Sequence, residues 1–264
     1  MSLRDVGWVW EGQPAYRDFP PSMYGFGEGC EYFDLSKAYC LYHGNNERML
    51  SKLQDLDEIV CDLSIWKYRK IENAEKHIGW GIYHEMDPDI MLEEARKISA
   101  LSTKLPNIVG AMKDDLLGAV KSKTYKPGLF AEVRRALTSE NPDLKLFSVV
   151  YVRELAPDNW KDIADALDGI YLWVWESRNL EPTLDEGIDR CREIFPDKPI
   201  VLGCYLRDYT LQTPMPMDRL QWQWERIPGY LEQGKITGYC ILGAYLIDHH
   251  RENAEWVRDF IAAH

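Results

Sequence analysis

The sequence predicts a single-domain (β/α)8 barrel, an α/β fold, and three observations lead to this prediction. The chain has 264 residues, close to the ~250 that one closed β/α barrel needs. Short apolar runs rich in β-branched and aromatic residues alternate with longer helical patterns, which is typical of β/α units around a parallel sheet. The apolar runs are continuous, as strands buried on both faces of a sheet must be.

Eight strands are predicted along the chain: Tyr39–Tyr42, Glu58–Leu63, His77–Tyr83, Asn107–Met112, Leu144–Val152, Gly169–Trp175, Pro199–Leu206 and Ile236–Leu246. Eight helices follow them in turn: Glu47–Leu56, Trp66–Lys76, Asp87–Lys104, Leu129–Ser139, Asp158–Leu167, Leu184–Phe195, Asp218–Gln233 and His249–Ala263. The third helix has the clearest signal, because Asp87 and Pro88 form a good N-cap and first-turn pair ahead of apolar residues at helical spacing.

The first 38 residues lie outside this series and are predicted to form an amino-terminal extension that packs on the barrel. They are rich in Gly, Pro and aromatic residues, and are expected to contain an extra strand or to cover one barrel mouth. No repeat or linker interrupts the remainder, so residues 1–264 are predicted to be one domain. The second choice is an open doubly wound sheet, which requires a Gly-rich phosphate turn between a strand and a helix. The segment GFGEGC at Gly25–Cys30 lacks that context, and we expect no cofactor.

Charge and composition limit the kinds of molecule that this chain is expected to bind. The net charge is −12, and an acidic chain is repelled by phosphate backbones and anionic membranes. No apolar stretch approaches the ~20 residues that span a bilayer. We therefore expect a small-molecule or oligosaccharide substrate, and neither nucleic acid nor membrane. The 10 Trp and 15 Tyr favour carbohydrate, because aromatic faces stack on sugar faces, although most of these rings are expected to pack in the core.

The six cysteines indicate a reducing compartment. None belongs to a CxxC pair, which argues against zinc-finger and thioredoxin sites. Four of them (Cys40, Cys61, Cys204 and Cys240) fall in apolar runs, where free cysteine behaves as a small buried hydrophobe. The start MSLRDVGWVW shows no signal-peptide pattern. The cytoplasm is therefore the default expectation, and a secreted or periplasmic location applies if a signal peptide has been removed.

Polar residues follow the predicted strands, at the rim where β/α barrels carry their catalytic groups. The candidates for substrate binding on this rim are Asn45, His84, Glu85, Trp175, Tyr205, Arg207 and Tyr209. Residues before the strands are mostly those of turns. We therefore expect the working site at the carboxyl ends of the strands.

Asp114 and Asp115 are the strongest catalytic candidates. Two adjacent carboxylates repel one another and lose hydration if buried. Because successive strand residues point to opposite faces, at most one is expected to enter the barrel mouth. That residue would act as nucleophile, base or electrostatic stabiliser, with Lys113 lowering the pKa of a neighbouring carboxyl. A solvated start of the loop is the simpler alternative.

Glu176 and Asp208 are predicted to complete the catalytic set. Glu176 follows the aromatic run YLWVW, and apolar walls raise a carboxyl pKa, as a general acid requires. Asp208 stands beside Arg207 and is expected to stay ionised. It would accept sugar hydroxyls or serve as a second carboxylate.

These segments resemble an uncharacterised group of bacterial barrel proteins in the glycoside hydrolase superfamily. In that group a segment ending in paired aspartates follows the fourth strand, and an L-G-C-Y-x-x-D-Y segment follows the seventh. Here they read GAMKDDLLG (Gly110–Gly118) and LGCYLRDYTLQTPMPM (Leu202–Met217), with YLWVWES (Tyr171–Ser177) between them. The resemblance covers most of Tyr39 to His264 and implies the barrel fold.

Three functions remain open at this point. The first is a glycoside hydrolase, which needs two carboxyl groups ~5 Å apart for retention or ~6.5–9.5 Å apart for inversion. The second is a metal-dependent isomerase, lyase or aldolase, for which the ligand types are present. Those ligands would be Asp62, His84, Glu85, Asp114 and Asp208, although no HxH or HxxE spacing supports them. The third is a sugar-binding barrel without catalysis.

Overall fold

A computed structural model describes residues 2–12, 21–40, 44–72, 78–83, 85, 87–121 and 125–264. Eight parallel strands close into a barrel with helices between them, which confirms the predicted fold class. The strands of the described residues are β1 (Gly7–Glu11), β2 (Lys37–Cys40), β3 (Glu58–Asp62), β4 (Lys67–Glu72), β5 (Ile78–Tyr83), β6 (Ile108–Lys113), β7 (Lys145–Tyr151), β8 (Gly169–Trp173), β9 (Ile200–Tyr205), β10 (Arg207–Asp208), β11 (Thr213–Pro214) and β12 (Gly238–Leu242). Around the barrel the order is β1, β2, β3, β6, β7, β8, β9 and β12.

Ten α-helices surround this barrel in the described part of the chain. They are α1 (Leu3–Val6), α2 (Glu28–Phe33), α3 (Glu47–Leu50), α4 (Pro88–Ser102), α5 (Leu116–Val120), α6 (Leu129–Leu137), α7 (Leu180–Ile194), α8 (Met217–Trp224), α9 (Ile227–Glu232) and α10 (Arg251–Ala263). The predicted helix Asp218–Gln233 is split into α8 and α9, because Pro228 stands in the first turn of a new helix. The predicted helix Asp158–Leu167 is instead a pair of 3-10 turns, Pro157–Asn159 and Ala164–Ala166.

The amino-terminal segment does contain an extra strand, as expected, but its placement outside the barrel is corrected, because this strand, β1, is a strand of the barrel itself. Every residue of β1 is buried, and β1 pairs with β12 on one side and β2 on the other. The strand therefore closes the barrel rather than packing on its outside. Its sequence, GWVWE, has the same continuous apolar character as the other barrel strands, and the Gly/Pro-rich segment after it concealed this.

The predicted third strand, His77–Tyr83, is not part of the barrel. Its described part, β5, pairs with β4 in an antiparallel hairpin between β3 and α4. In the described part of the predicted helix Trp66–Lys76, residues Lys67–Glu72 form the strand β4 of this hairpin instead. The barrel thus has one strand, β1, that was not predicted as a barrel strand, and it lacks the predicted third strand. The predicted fourth to eighth strands therefore keep their places in the barrel.

Aromatic rings fill the barrel interior. Trp10 contacts Tyr39 and Trp173 edge-on, with ring centroids 4.2 and 5.6 Å apart. Gly203 faces the Trp173 indole so closely that an added Cβ would lie 2.0 Å from the ring. These contacts confirm that many of the aromatic residues serve packing, since these rings fill the interior of the barrel below the rim.

Gly203→Ala is expected to lower the free energy of unfolding by about 1–3 kcal/mol, because the methyl group overpacks a filled layer. Urea unfolding followed by tryptophan fluorescence measures the change. Gly229→Ala is the matched control, since a Cβ there meets only the Gln233 side chain at 3.7 Å. Equal stability of the two variants would contradict the close packing inferred at Gly203.

The amino-terminal segment returns to the carboxyl rim after β1. Glu11 accepts the backbone N–H groups of Gly27 and Cys30 at 3.1 and 2.7 Å. Asp248 accepts the Ser22 hydroxyl and the Met23 N–H, both at 2.8 Å. Two carboxylates therefore tie the described part of this segment to the ends of β1 and β12.

The helices of the described residues do not include one that is both long enough and apolar enough to cross a membrane.

Candidate functional site

A cavity of about 290 Å³ lies at the carboxyl ends of the barrel strands. Its wall combines seven aromatic rings with two carboxylates, a guanidinium and an amide. The lining residues are Trp10, Trp66, Asp114, Asp115, Val149, Tyr151, Trp173, Trp175, Tyr205, Arg207, Tyr209, Gln212 and Leu242. Its position is the one at which β/α barrels hold their catalytic groups.

Asp114 and Asp115 both line this cavity, although strand alternation predicts only one of them. The strand β6 ends at Lys113, so alternation no longer applies beyond it. Asp115 has a φ of 46°, a left-handed conformation that turns the chain sharply. The Asp114 N–H donates to the Ser64 hydroxyl at 2.8 Å, and Asp114 Oδ1 accepts the Asp115 N–H at 2.9 Å. The turn therefore places both carboxyl groups on one side of the cavity.

Burial raises the pKa of both aspartates. For Asp114 the loss of hydration acts first, followed by the negative charges of Asp115 and Asp62. For Asp115 burial again dominates, while the Tyr151 hydroxyl and the charges of Lys113 and Arg153 lower its pKa in part. Two neighbouring carboxylates in an apolar site hold one proton between them over a range of pH. The pair therefore offers one acid and one carboxylate at the same pH.

Lys113 is a buried cation that acts on the pKa of both aspartates. Its side chain is fully buried, and its Nζ has no hydrogen-bond partner among the residues that the structure describes. Burial lowers the pKa of the ammonium group, while the charges of Asp62, Asp114 and Asp115 act in the opposite direction. The cation in turn lowers the pKa of Asp114 and Asp115, as the sequence analysis expects.

The rings of the aromatic wall contact one another. Trp175 stacks on Tyr209 with centroids 5.5 Å apart and planes 18° apart, and Tyr205 contacts Trp175 edge-on. The hydroxyls of Tyr209 and Tyr245 are 2.7 Å apart. Four predicted substrate contacts, namely Trp175, Tyr205, Arg207 and Tyr209, thus line one cavity with the aspartate pair.

Tyr151 is a site residue that the sequence analysis missed. Its hydroxyl hydrogen-bonds to Asp115 and to the hydroxyl of Tyr205. Burial raises the pKa of both tyrosines, so both stay protonated and able to donate. Its position one residue before the end of the predicted strand Leu144–Val152 was the available signal. Trp10, Trp66, Trp173 and Gln212 were also missed.

Glu176 and Asp208 are not among the described residues that line the cavity with Asp114 and Asp115. Both line a second cavity of about 370 Å³, together with Arg178 and Arg219. The Glu176 carboxylate accepts the Arg178 Nε–H at 2.6 Å. The predicted acid and second carboxylate therefore belong to the lining of a different cavity from the aspartate pair.

Asp208 holds the loop after β9. It accepts the Ser177 hydroxyl, the Thr210 N–H at 2.8 Å and the Leu211 N–H at 2.9 Å. Burial alone would raise the pKa of Asp208, but the hydrogen bonds outweigh it and the pKa lies below its ordinary value. Asp208 is thus ionised, as expected, but its oxygens are occupied by the protein.

The remaining predicted contacts lie away from the cavity or outside the described residues. Asn45 is buried and donates to the Asp62 carbonyl and to Glu94, both at 2.8 Å. Glu85 pairs with Lys67 and does not line the cavity. His84 lies outside the described residues. Asn45 and Glu85 therefore have structural partners at the rim.

The predicted metal ligands do not converge in the part of the chain that the structure describes. No three His, Cys, Asp or Glu side chains in that part form a group that could hold a metal ion. Asp208 belongs to the second cavity, and His84 is not among the described residues.

The fold and the site define a class: a closed β/α barrel with an acidic, aromatic-walled cavity at its carboxyl rim. Solved structures of similar fold include inhibitor proteins and β-glucuronidases. A xylanase and α-amylase inhibitor protein, XAIP-I, in complex with trehalose has a TM-score of 0.59 at 11% identity over 98% of each chain. XAIP-II from Scadoxus multiflorus has a TM-score of 0.58 at 10% identity, again over 98% of each chain.

Two β-glucuronidases contain a similar barrel within longer chains. The enzyme of Dictyoglomus thermophilum matches with a TM-score of 0.51 at 14% identity, over 89% of this chain and 43% of that one. The enzyme of Bacteroides uniformis matches with 0.56 at 12% identity, over 91% and 30%. This chain therefore spans less than half of either glucuronidase, and the likeness concerns the fold. Neither a family model nor a curated protein matches the sequence.

Proposed function

We propose that this barrel is a glycoside hydrolase-like enzyme that cleaves a carbohydrate in the rim cavity by means of Asp114 and Asp115. One observation carries the proposal: a pair of neighbouring carboxyl groups, one of them with only 7% of its residue surface exposed, lines an aromatic-walled cavity. A carboxyl pair is costly to bury without a partner. Carboxyl groups, one protonated and one ionised, are the residue type that glycosidases use.

The walls suit a sugar ring. The faces of Trp175 and Tyr205 are apolar surfaces on which the C–H faces of a sugar stack. Arg207 and Gln212 supply hydrogen-bond donors for its hydroxyl groups. The volume is at the small end of the ~300–1,000 Å³ of ligand pockets, which favours one sugar ring bound at a time. The trehalose bound by XAIP-I and the sugar substrates implied by the glucuronidase names support the same ligand class.

Asp114 is assigned the role of general acid. Burial and the negative charges of Asp115 and Asp62 raise its pKa well above the ordinary value, so it keeps a proton after its neighbour has ionised. Delivered to the glycosidic oxygen, that proton assists cleavage of the bond to C1. Asp115 is the ionised partner, because the Tyr151 hydroxyl and the charges of Lys113 and Arg153 lower its pKa in part, and it stabilises the positive charge that develops at C1.

Turnover of a glycoside panel tests the proposal. Wild-type protein is expected to hydrolyse at least one member of a set of aryl glycosides and natural oligosaccharides. The double variant Asp114→Asn/Asp115→Asn should lose this activity by at least about 10²-fold, since positioned acid–base groups contribute that much. Asp189→Asn is the matched control, because Asp189 is exposed and pairs with Lys235 at 3.3 Å on the outside of the barrel. A wild type that turns over no member contradicts the proposal.

A sugar-binding barrel without catalysis is the second candidate, and one comparison favours it. XAIP-I, described as an inhibitor protein in complex with trehalose, shares the fold over 98% of both chains. Titration calorimetry separates the two functions. Sugar binding of equal strength in wild type and double variant, with turnover by neither, would support binding alone.

A further inference from the structure

Asp62 is a third buried carboxyl group near the aspartate pair, and it is not among the described residues that line the cavity. It is the last residue of β3, and only 2% of its residue surface is exposed. Its Oδ1 accepts the Ser64 N–H at 2.7 Å and the Tyr39 hydroxyl at 3.4 Å. The Asn45 side chain donates to its backbone carbonyl at 2.8 Å. Asp62 is therefore held by three neighbours at the end of its strand.

Ser64 connects Asp62 to the turn that carries the aspartate pair. It is fully buried, its N–H donates to Asp62, and its hydroxyl accepts the Asp114 N–H at 2.8 Å. The Leu63 N–H donates to the Met112 carbonyl at 2.8 Å, so the segment after β3 runs along the end of β6. Because a buried N–H that loses its acceptor is costly, the position of Asp114 depends on the Ser64 hydroxyl.

The charge of Asp62 acts on one member of the pair. Burial raises the pKa of Asp62 to about 6, although hydrogen bonds from Ser64 and the charge of Lys113 lower it in part, so Asp62 is ionised above this pH. Its negative charge raises the pKa of Asp114, after burial and the charge of Asp115. Besides burial, the groups that shift the pKa of Asp115 are Tyr151, Lys113 and Arg153. An anion that acts on Asp114 in this way favours the proton on that carboxyl.

The other titratable groups around Asp114 come from four barrel strands and from the turn itself. They are Tyr39 of β2, Lys113 of β6, Tyr151 of β7, Tyr205 of β9 and Asp115. Burial raises the pKa of the three tyrosines well above its ordinary value, so their hydroxyls stay neutral. Lys113 is a cation and lowers the pKa of Asp114. Asp62 and Lys113 therefore act on the Asp114 proton in opposite directions.

We propose, building on the hydrolase function above, that Asp62 and Ser64 are positioning residues for the general acid Asp114. Ser64 fixes the turn that carries the aspartate pair. The negative charge of Asp62 keeps the shared proton on Asp114, so that Asp115 is the carboxylate. Neither residue touches the substrate, and both act through Asp114.

Carbon-13 NMR of protein labelled at the aspartate carboxyl carbons tests this inference without a substrate. The Asp114 signal is identified by its absence from Asp114→Asn. Asp62→Asn keeps an oxygen acceptor for the Ser64 N–H and removes the charge, so the titration midpoint of Asp114 should fall by about 1 pH unit. Lys113→Met removes a cation and should raise the same midpoint. Asp189→Asn, on the outside of the barrel, should leave it unchanged.

Kinetics on a glycoside that the wild type hydrolyses provide the second measurement. The alkaline limb of the kcat/KM profile reports loss of the proton from the acid, so it should move to lower pH in Asp62→Asn and to higher pH in Lys113→Met. A general loosening of the fold does not produce opposite movements. Ser64→Ala keeps every charge and should lower kcat about 10-fold with KM unchanged, because the acid is misplaced.

Ser64→Ala also keeps the test decisive if Asp62→Asn does not fold. It removes a hydrogen bond that lowers the pKa of Asp62, so the titration midpoint of Asp62 should rise. An Asp114 midpoint that is unchanged or higher in Asp62→Asn overturns the inference and leaves the hydrolase function standing. Wild-type kcat in Ser64→Ala, or an unchanged Asp62 midpoint, does the same. A wild type that turns over no glycoside overturns the hydrolase function, whereas the carbon-13 midpoints still decide whether Asp62 keeps the proton on Asp114.

Discussion

Asp114→Asn is expected to slow the hydrolysis of a natural oligosaccharide by about 10²–10⁴-fold, the contribution of a positioned general acid. The same variant should slow a 2,4-dinitrophenyl glycoside far less. Dinitrophenolate is a stable anion and departs without a proton, whereas a sugar alkoxide is a poor leaving group and must be protonated. The measurement is kcat/KM for wild type and variant across aryl glycosides whose leaving-group pKa varies.

Asp115→Asn provides the contrast within the same pair. Asp115 is assigned to stabilise charge at C1, which develops whatever the leaving group is, so the loss of activity in Asp115→Asn should be similar for every glycoside in the series. A leaving-group dependence in Asp115→Asn and none in Asp114→Asn would reverse the two roles. Equal behaviour of both variants would contradict the assignment of a distinct acid.

The wild-type protein is expected to lose about 3 kcal/mol of its free energy of unfolding as the pH rises, because of the Glu11 carboxyl group. The variant Glu11→Gln should not show this loss. Burial raises the pKa of Glu11 from 4.5 to about 7, and its hydrogen bonds to backbone N–H groups only partly oppose this. The folded state therefore binds more protons than the unfolded state between these values. The stability contributed by the protonated group is complete below pH 4.5 and is lost as the pH rises through about 7. The size of this stability change follows from ~1.4 kcal/mol of free energy per unit of pKa difference between the folded and unfolded states.

Urea unfolding of wild type and Glu11→Gln at several pH values between 4 and 9 measures this effect. The free energy difference between the two proteins should change in favour of Glu11→Gln as the pH rises. Because glutamine alters the hydrogen bonds to Gly27 and Cys30, the informative quantity is the change with pH rather than the offset. Glu186→Gln, on the exposed side of α7, should follow the wild-type curve. A constant difference between wild type and Glu11→Gln would show that the carboxyl does not titrate in this range.

Particular elements show how far sequence patterns reach in this fold. The runs IVGAMK and IVLGCY have no polar face, and they are the barrel strands β6 and β9. The run IGWGIY has similar character but pairs with KYRKIE in a hairpin. Strand propensity describes a pleated and partly buried surface, and it does not select the partner strand. The pairing of β5 was therefore beyond the pattern, whereas the strand character of β1, though not its place in the barrel, was visible in its apolar run.

The candidate site was predictable in part. Because carboxyl ends of barrel strands share one rim, Asp114, Asp115, Trp175, Tyr205, Arg207 and Tyr209 could be expected near one another, and they line one cavity. Glu176 and Asp208 follow their strands just as closely, yet they line another cavity. Side chains in loops point where the local turn and its hydrogen bonds direct them. The bonds to Asp208 come from Ser177, Thr210 and Leu211, two of them within three residues of it.

The sequence alone determined that the chain forms a β/α barrel, that its polar residues collect at the carboxyl rim, and that an aspartate pair follows the fourth strand. These features depend on periodicity and on the order of residues along the chain. Only the tertiary structure decided that β1 closes the barrel, that both aspartates enter the cavity, and that the two other predicted carboxylates do not. The physical reason is that pairing partners and side-chain directions depend on groups distant in the chain, and on a left-handed turn at Asp115 that no periodic pattern indicates.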